Sequence, residues 1–244
     1  IRDLHNYGAL DLGGILAKSS NVGASRIALA TSTETLWNAL RNYGFGELSA
    51  SGFPGERGGT LRHFQDWRPI DHATVAYGYG LSTTALQLAS AYAVIAAGGE
   101  RRPVSFFVPK QLPPAHRLIS PATAASVSLM LEQVVREGTA TAAAVPGYRV
   151  AGKTGTARKS GVGGYSERRY QAVFAGYVPA SHPRLVAVVV IDEPTGGAYY
   201  GGAVAAPVFS RIMAGALRLM EIPPDNLPAG AGLVHAAETA EELG

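Results

Sequence analysis

The sequence predicts an α+β domain in which helices cover an antiparallel sheet, and three observations carry that reading. Segments with helical spacing of apolar residues crowd the first half of the chain. Three strand-like segments come late, at 150–159, 170–178 and 184–192, and one apolar helix closes the order. The last two strands are joined by little more than A-S-H-P, which suits an antiparallel pair and is too short for a parallel crossover.

Taken in order, residues 10–29 read as two helical pieces, with Leu12, Ile15 and Leu16 on one face of the first and Val22, Ile27 and Leu29 in the second. Between them K-S-S-N supplies Ser19, Ser20 and Asn21, all good N-cap side chains, so capping alone explains the junction. Thr33 to Tyr43 is a further helix, stopped near Gly44 and Gly46. Its Glu34 and Asn38 fit E-x-x-x-N, as any solvated i,i+4 pair would. Gly44 to Pro69, with F-P-G-E-R-G-G, reads as a long irregular loop. Y-G-Y-G-L-S-T-T then leads into a helix from Thr84 to Ala97 that is apolar on nearly all sides, capped by Thr83 or Thr84 and ended by Gly98-Gly99. Arg102 to Val108 reads as a short strand. Ser120-Pro121 opens a helix to Glu137 that turns Val127, Leu131 and Val134 inward. Glycine-rich turns are expected at 161–164 and at T-G-G-A-Y-Y-G-G, the second running into a helix from Ala206 to Met220 with Pro207 in its first turn. Residues 1–222 form one domain, and residues 223–244, small, polar and acidic, read as a mobile tail.

At 244 residues, 47% hydrophobic and 16% charged, the composition is that of a globular chain with a sizeable core. The formal charge is +3, and the pairs Arg101-Arg102 and Arg168-Arg169 stand apart without a basic stripe, so nucleic acid is not an expected partner. With no cysteine, disulfides, thiolate catalysis and thiolate-held metals are excluded. The six histidines form no H-x-x-x-H or H-E-x-x-H pair, and no metal or cofactor is expected. The longest strongly apolar run, Leu185 to Ile191, falls short of the ~20 residues of a membrane span and reads as a buried strand.

The richest chemistry lies in Val150 to Lys159, V-A-G-K-T-G-T-A-R-K. Pleat alternation puts Lys153 with Gly155 on one side and Thr154 with Thr156 on the other. Gly155 leaves the backbone open to a ligand, while an ammonium and two hydroxyls suit a carboxylate through charge-assisted hydrogen bonds. Taken alone, the same stretch is also an ordinary glycine-bearing strand ending in a solvated Arg158-Lys159 pair.

A strand-borne K-T-G at Lys153 to Gly155, following a helix-junction S-x-N at Ser19 to Asn21, resembles the penicillin-recognising serine transferases. A-K-S-S-N-V-G, G-E-R, Y-G-Y-G, A-G-K-T-G-T-A, A-G-Y-V-P-A-S-H-P-R and Y-Y-G-G-A-V-A-A-P-V-F are together similar to the class B penicillin-binding transpeptidase of cell division, over nearly the whole chain. One departure is large: no S-x-x-K, the family's nucleophile motif, occurs in these residues. The expectation is that this chain starts downstream of that segment, on the C-terminal part of the transpeptidase domain, and that another stretch of polypeptide supplies the serine.

The resemblance implies a peptidoglycan D,D-transpeptidase fold and activity, with a serine acylated by a peptide ending in D-Ala-D-Ala and the acyl group passed to an amine of a neighbouring stem peptide. It implies Ser19 as a proton shuttle beside Lys153, and Asn21 as a donor to a substrate amide carbonyl. Lys153 would supply positive potential, Thr154 and Thr156 would bind the terminal carboxylate, and the Thr156 N–H would form half of the oxyanion hole. Gly155 and Arg158 belong to the same substrate-binding strand, and Tyr79, Tyr170, Tyr199 and Tyr200 look like an aromatic lining, with ordinary packing as the other reading. The implied partners are stem peptides, β-lactams, the upstream segment carrying S-x-x-K, and other cell-division proteins. The implied location is the periplasmic face of the bacterial inner membrane, anchored by an N-terminal helix outside this chain. A serine β-lactamase and a non-catalytic penicillin-binding sensor or scaffold are the competing readings. A deacylating base is hard to place, because Glu34 to Asn38 follows Ser19 too closely.

Overall fold

The computed structural model describes residues 1–161 and 164–227. Helices α1 (Leu12–Lys18) and α2 (Asn21–Leu29) open the chain, each capped by a short acceptor: Asp11 takes the Gly14 N–H at 2.7 Å and Ser20 the Gly23 N–H at 2.9 Å. Helix α3 (Thr33–Asn42) follows, capped by Ser32. The expected long loop contains strand β1 (Thr60–Leu61) and a 3-10 turn at Phe64–Asp66. Just beyond it lies a helix the periodicity did not reveal, α4 (Pro69–Val75). Only seven residues long, it is started by Pro69 and by the Asp71 carboxylate, which accepts from both the Arg68 N–H and its guanidinium, rather than by an apolar stripe. Strand β2 (Leu81–Ser82) pairs antiparallel with β1. Helix α5 (Ala85–Ala96) begins at the Thr84 cap.

Arg102 to Val108 is not a strand. The ladder is limited to β3 (Glu100–Arg101) and β4 (His116–Arg117), because Pro103 has no N–H to donate and the β-prone Phe106, Phe107 and Val108 find no partner strand among the described residues, standing 61%, 83% and 97% exposed. Helix α6 (Pro121–Glu137) is as expected, with a 3-10 turn at Thr141–Ala143 behind it.

The main sheet comprises β5 (Ala151–Gly161), β6 (Gly164–Val178) and β7 (Leu185–Asp192), antiparallel in that order. Strand β6 starts earlier than Tyr170, so β5 and β6 form a long hairpin whose register places Lys153 opposite Ala175 and Thr156 opposite Ala172. The middle of its expected glycine-rich turn, residues 162–163, lies outside the described residues. Helices α7 (Gly201–Val204) and α8 (Ala206–Leu219) close the order.

Helices cover both faces of this sheet, as an α+β class requires. On one face Phe174 meets Phe209 edge-on, with ring centroids 4.6 Å apart, and Met213 and Leu217 of α8 join Val134, Val150 and Val178. Burying side chains of this size stabilises by roughly 1.5–3 kcal/mol each. Gly201–Leu219 is long and apolar enough to cross a membrane, yet its Phe209 and Leu217 are 0% exposed inside this core. On the other face Ala151 and Tyr177 pack with Leu131 and, from α5, Tyr92 and Ile95.

Residues 223–227, expected to belong to the mobile tail, are tied down. Asp225 accepts from the Arg149 N–H at 2.7 Å and the Ser181 hydroxyl at 2.6 Å, and Asn226 donates to the Gly147 carbonyl at 3.0 Å. These bonds satisfy backbone groups just ahead of β5 that would otherwise lack partners. The rest of the expected tail, 228–244, lies outside the described residues.

Candidate active site

Strand β5 is an outer strand of its sheet, so among the described residues one edge is unpaired, and its chemistry collects there. Lys153 lies on the α5–α6 face beside Ala151, while Thr154 and Thr156 lie on the face that α7 covers. The lysine nonetheless turns across the edge: Nζ donates to the Thr154 carbonyl at 3.1 Å and reaches Thr154 Oγ1 at 3.3 Å. It also donates a short hydrogen bond to Ser19 Oγ. Burial pushes the Lys153 ammonium down to about 8, and among the described residues its partners are hydroxyls and a carbonyl rather than a carboxylate.

Ser19 reaches this edge because the backbone reverses sharply there. It ends α1 in the left-handed region at φ 54 and ψ 46, while Ser20 turns back to cap α2. Asp3, which the sequence reading did not single out, holds the junction from outside, accepting from the Ser20 hydroxyl at 2.6 Å and the Val22 N–H at 3.1 Å. Burial works to raise the Asp3 carboxyl, but the Ser20 hydroxyl and the Val22 and Asn21 amides outweigh it and hold it low. Asn21 stands in the first turn of α2, two positions from Ser19, and its side chain makes no hydrogen bond among the described residues.

Thr139 was also missed, and it is the hub of the cluster. Its Oγ1 lies 2.9 Å from Thr154 Oγ1, 3.3 Å from Ser19 Oγ and 3.5 Å from Lys153 Nζ. It follows Gly138, where a Cβ would come within 2.8 Å of both the Ala17 and Val134 carbonyl oxygens, so only glycine lets the end of α6 abut the end of α1. A helix-ending glycine was the signal in the sequence; that the next residue faces a site 14 positions onward was not.

Thr156 Oγ1 accepts from the Gly201 N–H at 3.0 Å, which leaves its own proton free to donate elsewhere. The Y-Y-G-G segment is a packed helix start rather than a free turn: a Cβ on Gly201 would stand 2.4 Å from the Gly155 carbonyl oxygen, and one on Gly202 2.4 Å from that of Thr139. Gly155 itself stays open, since an added Cβ would meet only Val173, at 3.5 Å.

The predicted aromatic lining divides into two groups. Tyr170, Tyr199 and Tyr200 form one stack, with centroids 4.2 and 4.5 Å apart, beside Arg158, which pairs with Tyr170 in register. The Tyr199 phenol is raised first by its hydrogen bond to Tyr200, against the opposing charge of Arg158. Tyr79 instead stands edge-on to Tyr165 of the long hairpin at 4.9 Å and to Tyr77 at 5.7 Å.

Among the described residues the edge of β5 thus gathers an ammonium of lowered basicity touching a serine, and hydroxyls able to donate hydrogen bonds, a set whose chemistry suits an anion. The chain belongs to the class B penicillin-binding protein transpeptidases: the family described as "Penicillin binding protein transpeptidase domain" matches residues 2–214. Among its relatives, the probable peptidoglycan D,D-transpeptidase PenA of Neisseria meningitidis is 44% identical over 225 residues, covering 92% of this chain and 39% of that protein. Peptidoglycan D,D-transpeptidase FtsI of Escherichia coli is 45% identical over 231 residues, covering 94% and 39%. The apo structure of the TP domain from Burkholderia pseudomallei penicillin-binding protein 3 matches with a TM-score of 0.88 at 46% identity, over 93% of this chain and 69% of that one. The chain thus spans about two-fifths of the length of the curated relatives it matches, 39% in both cases.

Proposed function

We propose that this chain builds the strand-edge half of the active site of a peptidoglycan D,D-transpeptidase that cross-links stem peptides during cell division and is acylated by β-lactams. The observation that carries the reading is the Lys153–Ser19 hydrogen bond at the free edge of β5, with Thr154 and Thr156 beside it. A serine from an S-x-x-K segment outside these residues attacks the penultimate D-Ala carbonyl. The terminal D-Ala leaves as an amine, and an amine of a second stem peptide then takes the acyl group.

In this reading Thr154 and Thr156 hold the terminal carboxylate by donated hydrogen bonds, and Lys153 supplies the attracting charge. Ser19 receives the nucleophile's proton through the lysine-centred network and passes it to the leaving amine. The Thr156 N–H, on the unpaired edge, stabilises the oxyanion together with the nucleophile's own N–H. Asn21 donates to a substrate amide carbonyl. The Tyr170–Tyr199–Tyr200 stack, with Arg158 at its side, lines the pocket for the donor's side chain, and Tyr79, beside Tyr165 of the long hairpin, adds to that lining. The protein works on the periplasmic face of the inner membrane beside other division proteins.

The test uses the full-length protein, S-x-x-K segment included, with a labelled penicillin and then a thioester substrate plus an acceptor amine. The transpeptidase reading requires a stable penicilloyl adduct and acyl transfer to the amine. Rapid hydrolysis of the adduct identifies a β-lactamase instead, and acylation without transfer identifies a sensor.

A further inference from the structure

The four polar groups at the β5 edge hold more acceptors than they can order by themselves, and Thr139 decides the order. The Lys153 ammonium directs its protons at Ser19 Oγ, the Thr154 carbonyl and the hydroxyl oxygens of Thr154 and Thr139. Each hydroxyl therefore places its single proton either on another hydroxyl or into the cleft. Two chains of hydrogen bonds satisfy the distances of 2.9 Å for Thr139–Thr154 and 3.3 Å for Thr139–Ser19. In one, Thr154 donates to Thr139 and Thr139 to Ser19, so the Ser19 proton points into the cleft. In the other, Ser19 donates to Thr139 and Thr139 to Thr154, so the Thr154 proton points into the cleft.

A carboxylate only accepts hydrogen bonds, so one docking at Thr154 selects the second chain. That chain leaves Ser19 Oγ with its own proton turned away and a lone pair open beside Lys153, the state in which it accepts a hydrogen bond from the nucleophile's hydroxyl; as that proton arrives, Ser19 swings its own from Thr139 to the leaving amine, so the serine stays neutral. We infer that Thr139 is a positioning residue that couples carboxylate capture at Thr154 to the proton-accepting state of Ser19, an inference that rests on the transpeptidase reading of this site. The residue is held firmly enough to do so. Its N–H donates to the Ala17 carbonyl at 3.2 Å, and its own carbonyl lies against Gly202, where a Cβ would stand only 2.4 Å away.

In the full-length protein, Thr139→Val keeps the shape and removes the relay, whereas Thr139→Ser keeps the hydroxyl. Acylation is followed with a D-alanyl thioester bearing a free carboxylate and with its methyl ester, separating the binding constant from the rate constant. The valine variant should lose about ten- to a hundredfold in the acylation rate constant for the acid, the scale of a hydrogen bond to a charged group, with its binding constant nearly unchanged. The ester should lose little, and serine should restore the acid to within a few-fold of wild type. Equal losses for acid and ester, no loss, or no rescue by a serine variant that melts like wild type would each overturn the relay. If the valine variant does not fold, Thr139→Ala carries the same expectations. Lys153→Ala, measured in the same assay, keeps the two levels apart: if it acylates at the wild-type rate, the transpeptidase reading of the strand fails, whatever Thr139 does.

Discussion

Lys153 donates a hydrogen bond to Ser19 across 134 positions of sequence, joining the outer strand of the sheet to the reversal between the first two helices. Neither residue has a reason in its own element to point at the other. The approach depends on packing elsewhere, above all on Gly138, which lets α6 and α1 touch end to end. The pair is therefore a product of tertiary structure.

Replacing Lys153 with alanine should remove transition-state electrostatics and carboxylate attraction together while leaving the fold intact, because the side chain lies at a strand edge. Removing one such donor costs about 2.7–4 kcal/mol, or roughly a hundred- to a thousandfold in acylation. Stopped-flow acylation of the full-length variant with a β-lactam measures it, and a rate within a few-fold of wild type would reduce K-T-G to a structural strand.

Stability should depend on pH through the same lysine. Its ammonium titrates at about 8 in the folded chain against an ordinary 10.5, so below about 8 it is charged in both states and its burial penalty is fully present. Between those values the unfolded chain binds more protons, and stability rises with pH by on the order of 3 kcal/mol in total. Urea unfolding from pH 7.5 to 10.5 should show wild type gaining on Lys153→Met. Parallel curves would mean that the ammonium is not desolvated. Acylation should fall over the lower part of the same window as the charge is lost.

Gly201→Ala should be costly although α7 would gain a better helix former. The new Cβ would meet the Val173 and Gly155 carbonyl oxygens at 2.3 and 2.4 Å, so α7 must lift from β5 and withdraw the N–H that Thr156 accepts. Overpacking of this kind costs about 1–3 kcal/mol. A melting temperature equal to wild type, with unchanged acylation, would contradict the close approach.

The C-terminal attachment makes a separate prediction. Asp225→Ala removes the acceptor for Arg149 N–H and the Ser181 hydroxyl, and should cost about 1.5–3 kcal/mol, as hydrogen bonds to a charged group do. Deletion of residues 228–244 should leave chemical denaturation unchanged if Asp225 and Asn226 provide the attachment. A larger effect from the deletion than from the substitution would place the attachment further on.

The sheet and its covering helices were legible because their signals are local. Alternation and β-branching mark β5 to β7, and Ser20, Thr84 and Ser120 each begin a helix by accepting the N–H three residues on. Lys153 and Thr154 were legible from their strand and Ser19, locally a capping residue, only through the family resemblance, and the structure brings the three within hydrogen-bond reach. Thr139 was not, since a single threonine after a helix carries no pattern and acquires its place only when α6, α1 and β5 meet. Phe106 to Val108 misled for the opposite reason: strand propensity was present, but Pro103 and the lack of a partner denied it a ladder. Tyr79 and Tyr199 could not be assigned to different groups without the long hairpin that brings Tyr165 to the first.

Whether Thr154 and Thr156 read a carboxylate is tested most directly by isosteric substitution. The double variant Thr154→Val, Thr156→Val preserves volume and strand propensity, so a purely structural role predicts almost no change. A clamp predicts losses of ~1.5–3 kcal/mol, about ten- to a hundredfold in acylation efficiency, for a substrate or β-lactam bearing its carboxylate. The corresponding ester or amide, already a poor ligand, should lose little more. Measured as a cycle of acid and ester against wild type and double variant of the full-length protein, a carboxylate clamp gives a clear coupling energy. Equal losses for both ligands, a coupling of zero, would contradict the clamp and with it the reading of β5 as the substrate-recognising strand.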